Sequence, residues 1–277
     1  MAERRKLLLC SLVALAGLAI QSASLAETLA GSPDPALTGE EIYARVLANR
    51  FDAFTQESSL ASGDEAGRIQ ETRLRMQFMD FRDAEDQPRR GVLSKTLVHY
   101  THPFDLRHAG YLVIQNHARE NDQFVYLPAR RQTVRVNLRG EAVFGTDFSF
   151  EDVIPRELED ATYARLPDES IAGAPTYVVE ARPVADYDSE YSKFVFSVDT
   201  GSFVPLRTRY WDGSGVEVKE MRTDREHIER FEDIYIPTKL TMRHLLHESF
   251  TTLQITQLVP NPALPESAFE VRRLEAH

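Results

Sequence analysis

Apolar and polar positions change period once along this chain. From Thr38 to Phe54 the residues Ile42, Val46, Leu47, Phe51 and Phe54 fall on one helical face, and Thr38 with Glu41 three residues on forms a capping box ahead of them. The spacing predicts an amphipathic helix of about five turns over 38–54. From Arg68 onward the period is two. Thr72, Leu74, Met76 and Phe78 alternate with Glu71, Arg73, Arg75 and Gln77, and similar runs recur at 91–100, 111–117, 176–181, 193–198, 204–210, 216–223, 234–244 and 251–259. About ten strands in an antiparallel meander are expected, with Asp212-Gly213-Ser214-Gly215 as a hairpin turn.

The stretch from Asp122 to Asp152 carries the most local detail. Phe124–Leu127 reads as a short strand that Pro128 ends, because proline has no N–H for the ladder. Arg130 and Arg131 follow at a turn. Beyond them Val134, Val136 and Leu138 share one face while Thr133, Arg135 and Asn137 share the other, giving the sheet a dry side and a wet side. After Gly145, Ser149 and Asp152 form a second capping box, with Asp in the usual Glu or Gln position, so a short helix is expected there, pinned by Phe148 and Phe150.

A sheet of this many strands must curl, and its concave face needs a cover. The helix over 38–54, the short Ser149 helix and the segment 155–168, of low strand propensity, are the expected covering elements. The predicted fold is mainly β (α+β): a large curved antiparallel sheet forming a half-open barrel with a helical lid. Val46, Leu47 and Phe51 of the helix, set against Leu74, Met76 and Phe78, are the candidate lining of a hydrophobic cavity. A solid core of the same side chains is the alternative.

At the N-terminus Arg4, Arg5 and Lys6 precede an apolar run from Leu7 to Ile20, and Ser24-Leu25-Ala26 supplies the small residues of a cleavage site. Residues 1–26 therefore read as a secretory signal, 27–37 as a flexible lead-in and 38–277 as one domain, with the periplasm as destination. No later window offers the roughly 18 apolar residues of a spanning helix, so stable membrane insertion is not expected. Cys10, the single cysteine, lies inside the signal. Loss of the signal removes three basic residues and one acidic, taking the net charge from −11 to −13. Such acidity opposes nucleic-acid binding.

Candidate chemistry is sparse, and no catalytic residue, metal or cofactor is expected. His99/His102 and His244/His247 are three apart, which on a strand sends the rings to opposite faces. Asp186, Asp188 and Glu190 open like a calcium loop, but Tyr191 stands where its glycine belongs and Ser197 where its final glutamate belongs. Ser214 lacks the frame of a nucleophile elbow. Arg130, Arg131 and Arg135 set against Asp147, Glu151 and Asp152 read as a charge cluster, either an ion-pair network fixing the short helix or a partner-docking surface. Lys95 and Lys193 are lone strand cations that could meet a carboxylate or a ligand head group.

Ordered blocks from about Arg68 to Val259 carry a family likeness: Lys95, Tyr100, Pro103, Asp105-Leu106-Arg107, Gly110 to Ile114 with Tyr111, Tyr126-Leu127-Pro128, Arg131, Arg135, Gly145 to Asp152, Tyr191-Ser192-Lys193 and Lys219. In this the chain resembles the bacterial outer-membrane lipoprotein-sorting proteins, relatives of the LolA-type periplasmic lipoprotein carrier. The resemblance implies a curved sheet with a helical lid, a concave hydrophobic site and no cofactor. Its implied role is carriage of a lipid or lipoprotein acyl chain, with an inner-membrane transporter or outer-membrane receptor as partner. The alternative is an envelope-stress or transporter-associated sensor acting through protein contacts.

Overall fold

The computed structural model describes residues 31–275; the signal read from residues 1–26, the start of the lead-in and the last two residues lie outside the described residues. Among the described residues one helix, α1 (Gly39–Ala48), precedes the strands. The first six are β1 (Ala53–Asp64), β2 (Ile69–Asp80), β3 (Val92–His102), β4 (Gly110–Asn116), β5 (Asp122–Leu127) and β6 (Gln132–Val136). After the short helix α2 (Phe150–Val153) come β7 (Ala161–Ile171), β8 (Ala174–Pro183), β9 (Tyr191–Asp199), β10 (Pro205–Asp212) and β11 (Glu217–Arg222). The chain ends with β12 (Ile228–Phe231), β13 (Ile234–Pro237), β14 (Lys239–His244) and β15 (Ser249–Pro260), followed by 3-10 turns.

Thirteen of these strands form one open antiparallel sheet in the order β6-β5-β4-β3-β2-β1-β15-β14-β11-β10-β9-β8-β7. Two meanders meet where β1 pairs with β15. The two free edges, β6 and β7, are consecutive in sequence. The segment 137–160 that joins them therefore has to cross from one edge of the half-barrel to the other.

Both capping boxes form. Thr38 N–H donates to Glu41 Oε2 at 2.8 Å and Glu41 N–H returns a bond to Thr38 Oγ1, and Ser149 and Asp152 exchange the equivalent pair. The first helix is half the expected length. Asn49 caps it, donating to Ser202 O at 2.6 Å and accepting from Tyr235 N–H at 3.0 Å, and four residues later the chain enters β1. Phe51 and Phe54 are therefore not helical. Phe54 sits opposite Phe78 in the sheet and stacks on it at 5.2 Å, and Phe51 packs edge-on against Phe54 and Phe231.

Three further expectations are corrected. The segment 155–168 covers the sheet only over 155–160: the rest is edge strand β7, where a register shift absorbs Pro167 and Asp168. The predicted strand over 234–244 is two, with β13 paired to β12 in a separate hairpin and β14 in the main sheet. The sheet is not wet along all of its convex side. Phe269 and Leu274 of the C-terminal turns are buried there against Leu97, Leu112 and Tyr126, which is why β4 is buried on both faces.

Cross-strand registers put Tyr100, Val98, Leu74, Leu60, Leu253, Met242, Met221, Tyr210, Phe194, Phe196 and Val179 on the concave face, where they join one continuous apolar cluster. Helix α1 covers one wing of it, against β7 and β8 rather than β2. Its approach is close: a side chain on Gly39 would meet the Arg165 backbone nitrogen at 2.8 Å. Tyr43 is buried there, stacked on Tyr163 at 4.6 Å.

Candidate functional site

The remainder of the concave face is crossed by the strap, residues 137–160. Phe148 and Phe150 are buried in the concave cluster, with Phe150 4.8 Å from Tyr111 and Phe144 4.6 Å from Tyr100, ring centre to ring centre. Gly145 takes φ +78°, the left-handed turn that brings Asp147 onto the sheet.

Three carboxylates tie the strap down. Asp147 accepts from Ser249 at 2.5 Å and Thr251 at 2.7 Å on β15. Asp152 accepts from Lys219 on β11 at 2.8 Å and from the Tyr191 hydroxyl on β9 at 2.9 Å. Glu151 accepts from the Ser189 hydroxyl at 2.6 Å and from Glu190 N–H at 2.9 Å in the β8–β9 turn. Burial, reinforced by the Asp152 charge, pushes the Tyr191 phenol well above its ordinary pKa, so it stays a donor.

The expected charge cluster therefore divides. Arg135 lies on the wet face and pairs with Asp122 at 2.6 Å, while Arg131 is exposed in a left-handed turn. Arg119, with Asn116 and Arg135 adding to its effect, holds the Asp122 carboxyl down to about 2. Asp147, Glu151 and Asp152 face the dry side, where Asp147 and Asp152 find their partners on the sheet and Glu151 finds its own in the β8–β9 turn. Asp147→Ala and Arg135→Ala should consequently lower stability additively in denaturant melts, with a coupling below about 0.5 kcal/mol; a coupling above about 1 would mean that the two side chains interact.

Of the candidate cavity residues, Leu74 is buried, and Met76, Val46 and Leu47 are half-buried in the same concave cluster. Phe51 and Phe78 belong instead to the aromatic group around Phe54. The remaining motif positions are spread over the fold. Tyr111 is buried on the concave side and donates to Gln123 at 3.0 Å. Tyr126 lies in the convex cluster, and Pro128 opens the turn after β5. Lys95 sits 4.2 Å from the centre of the Phe81 ring and reaches Glu266, and Lys193 sits 4.3 Å from that of Trp211 and reaches Glu180. Both cations have protein partners.

The histidine expectation also changes. His247 lies in the turn after β14, and its ring stacks on His244 at 3.8 Å. Burial and the neighbouring His247 depress the His244 pKa. Asp224, Glu226 and His227 bring donor atoms within 4.8 Å of one another, a mostly exposed group such as commonly stands without a metal.

With this geometry the comparisons fall into place. A family model described as an uncharacterized protein matches residues 93–276, well over half of the chain. The chain belongs to that family. Its fold is LolA-like. It is similar to a Vibrio parahaemolyticus domain described as an outer membrane lipoprotein-sorting protein, at 21% identity and TM-score 0.76, covering 86% of this chain and 98% of the other. A DUF1329 family protein from Desulfovibrio piger gives 21% identity and TM-score 0.78, with 85% and 97% covered. A LolA superfamily protein from Nitrosomonas europaea gives 18% and 0.65, with 85% and 98% covered. Identities at this level speak for the fold. No curated protein sequence matches the chain. Among the described residues no helix is long and apolar enough to cross a membrane.

Proposed function

We propose that this LolA-like protein is a periplasmic carrier that shields an acyl chain or a similar hydrophobic ligand against the concave face of its half-barrel, in outer-membrane lipid or lipoprotein trafficking. One observation carries the reading: beyond the wing under α1, the apolar concave face is covered by one chain segment whose middle, 144–153, is tied down by Phe148 and Phe150, by side-chain hydrogen bonds and by the Asp152–Lys219 ion pair. Cover of that kind can part from a sheet without unfolding it, because each tie on the strap can be exchanged for water. Burial of an alkyl chain contributes about 0.8 kcal/mol per methylene, enough for reversible affinity without a polar recognition motif. The lipoprotein-sorting description of the Vibrio structure supports the same class of ligand.

A fluorescent fatty-acyl probe tests this. The protein should bind it, and Met76→Glu, which puts a carboxylate among the concave side chains, should lower the affinity more than about tenfold with the circular dichroism spectrum unchanged. Failure of the unsubstituted protein to bind any acyl probe would overturn the reading.

A further inference from the structure

One cation at the end of the strap has a carboxylate nearby but no hydrogen-bonded counter-ion. The Arg156 guanidinium carbon lies 4.0 Å from the centre of the Phe194 ring, on the concave face. Its Nη2 stands 3.9 Å from Glu151 Oε1, too far for a hydrogen bond, and both oxygens of that carboxylate already accept from Ser189 and Glu190. Nε and Nη2 of Arg156 are closed off from solvent without an acceptor. Around the guanidinium stand the phenols of Tyr43, Tyr187 and Tyr210, Tyr43 near enough to act as a hydrogen-bond partner. A buried charged donor left unmatched is costly, and planar guanidinium is suited to binding two oxygens of one anionic group.

The flanking residues fix Arg156 independently of the rest of the strap. Gln115 donates to Pro155 O at 2.9 Å, and Glu157 pairs with Arg82. If residues 137–153 lift, Arg156 can remain over Phe194. Resting on the carrier reading, we infer that the concave site takes an anionic amphiphile, a carboxylate or phosphate on an alkyl chain. Arg156 binds the anionic oxygens, the three phenols supply further donors, and the chain lies along the apolar face. The cleft beside Pro155, about 540 Å³, sets Glu120, Glu157, Glu159, Asp160, Asp186 and Asp188 against Arg119 and Arg139, a net negative lining that disfavours such a head group. Entry is from the strap side.

A dodecanoic acid carrying a terminal fluorophore and its methyl ester separate head-group recognition from burial of the chain. The unsubstituted protein should bind the acid at least about tenfold more tightly than the ester. Arg156→Gln should bring the acid down to the affinity of the ester and leave the ester unchanged, while Arg156→Lys recovers part of the preference. Thermal melts report whether each variant is folded, and the acid–ester comparison on the unsubstituted protein needs no variant. Equal binding of acid and ester overturns the anionic assignment and leaves the carrier standing; binding of neither overturns both. Displacement of the acid by millimolar inorganic phosphate would mark a site for free anions and would overturn the amphiphile.

Discussion

Asp152→Ala is expected to destabilise the protein by about 3–5 kcal/mol, because it strands a buried cation. The Asp152 and Lys219 side chains are 1% and 9% exposed, with Nζ and Oδ2 2.8 Å apart. The same carboxylate accepts the Ser149 N–H that caps α2 and the Tyr191 hydroxyl. Its loss leaves an ammonium and two further donors without an acceptor. Asp152→Ala combined with Lys219→Met should recover much of the deficit, since the double variant contains no uncompensated charge and its methionine fills the volume of the lysine stem. Denaturant melts of the two singles and the double check this. A double variant as unstable as the sum of the singles would show that the ion pair does not carry the strap's attachment.

What the sequence reveals of this molecule is mainly what is local. Thr38 with Glu41 and Ser149 with Asp152 announce two helix starts because a capping box is complete within four residues. The alternation of Thr72, Leu74, Met76 and Phe78 announces a strand because one of its faces is dry. Strand β1 gives no such signal. Its concave positions include Gln56 and Ser58, polar residues that satisfy each other at 2.7 Å, and its ladder comes from β2 on one side and from distant β15 on the other. Pairing over that separation cannot be read from a local window. The apolar spacing of Phe51 and Phe54 fits a helix and equally fits the entry to a strand, and Asn49, bonded to the β9–β10 turn and to strand β13, decides between them.

The site was legible in part. The short helix, its cap and its two phenylalanines were readable; the strap as a whole was not, because its course depends on β6 and β7 being the two edges of one sheet. The mistaken pairing of Arg135 with Asp147 had a corrective signal in the alternation itself. Val134 and Val136 face the dry side, so Arg135 between them faces the wet side, away from the segment that covers the dry one. Arg156 offers no sequence signal. Its orphaned nitrogens depend on Glu151 being occupied by a turn nearly forty residues downstream.

The central claim is that the strap has to leave the concave face for a ligand to enter, and a reversible clamp tests it most directly. Asp147 and Ser249 side chains meet at 2.5 Å, and the only native cysteine, Cys10, precedes residue 27. Asp147→Cys with Ser249→Cys therefore places two thiols on facing side chains where the strap crosses β15, for closure into a disulfide. With the disulfide formed, uptake of a fluorescent acyl probe should fall to background, and reductant should restore it in the same sample. Uptake is measured by probe fluorescence, and clamp formation by intact mass under each condition. Equal uptake by the fully oxidised and the reduced protein would contradict the account, since the ligand would then bind with the strap locked in place.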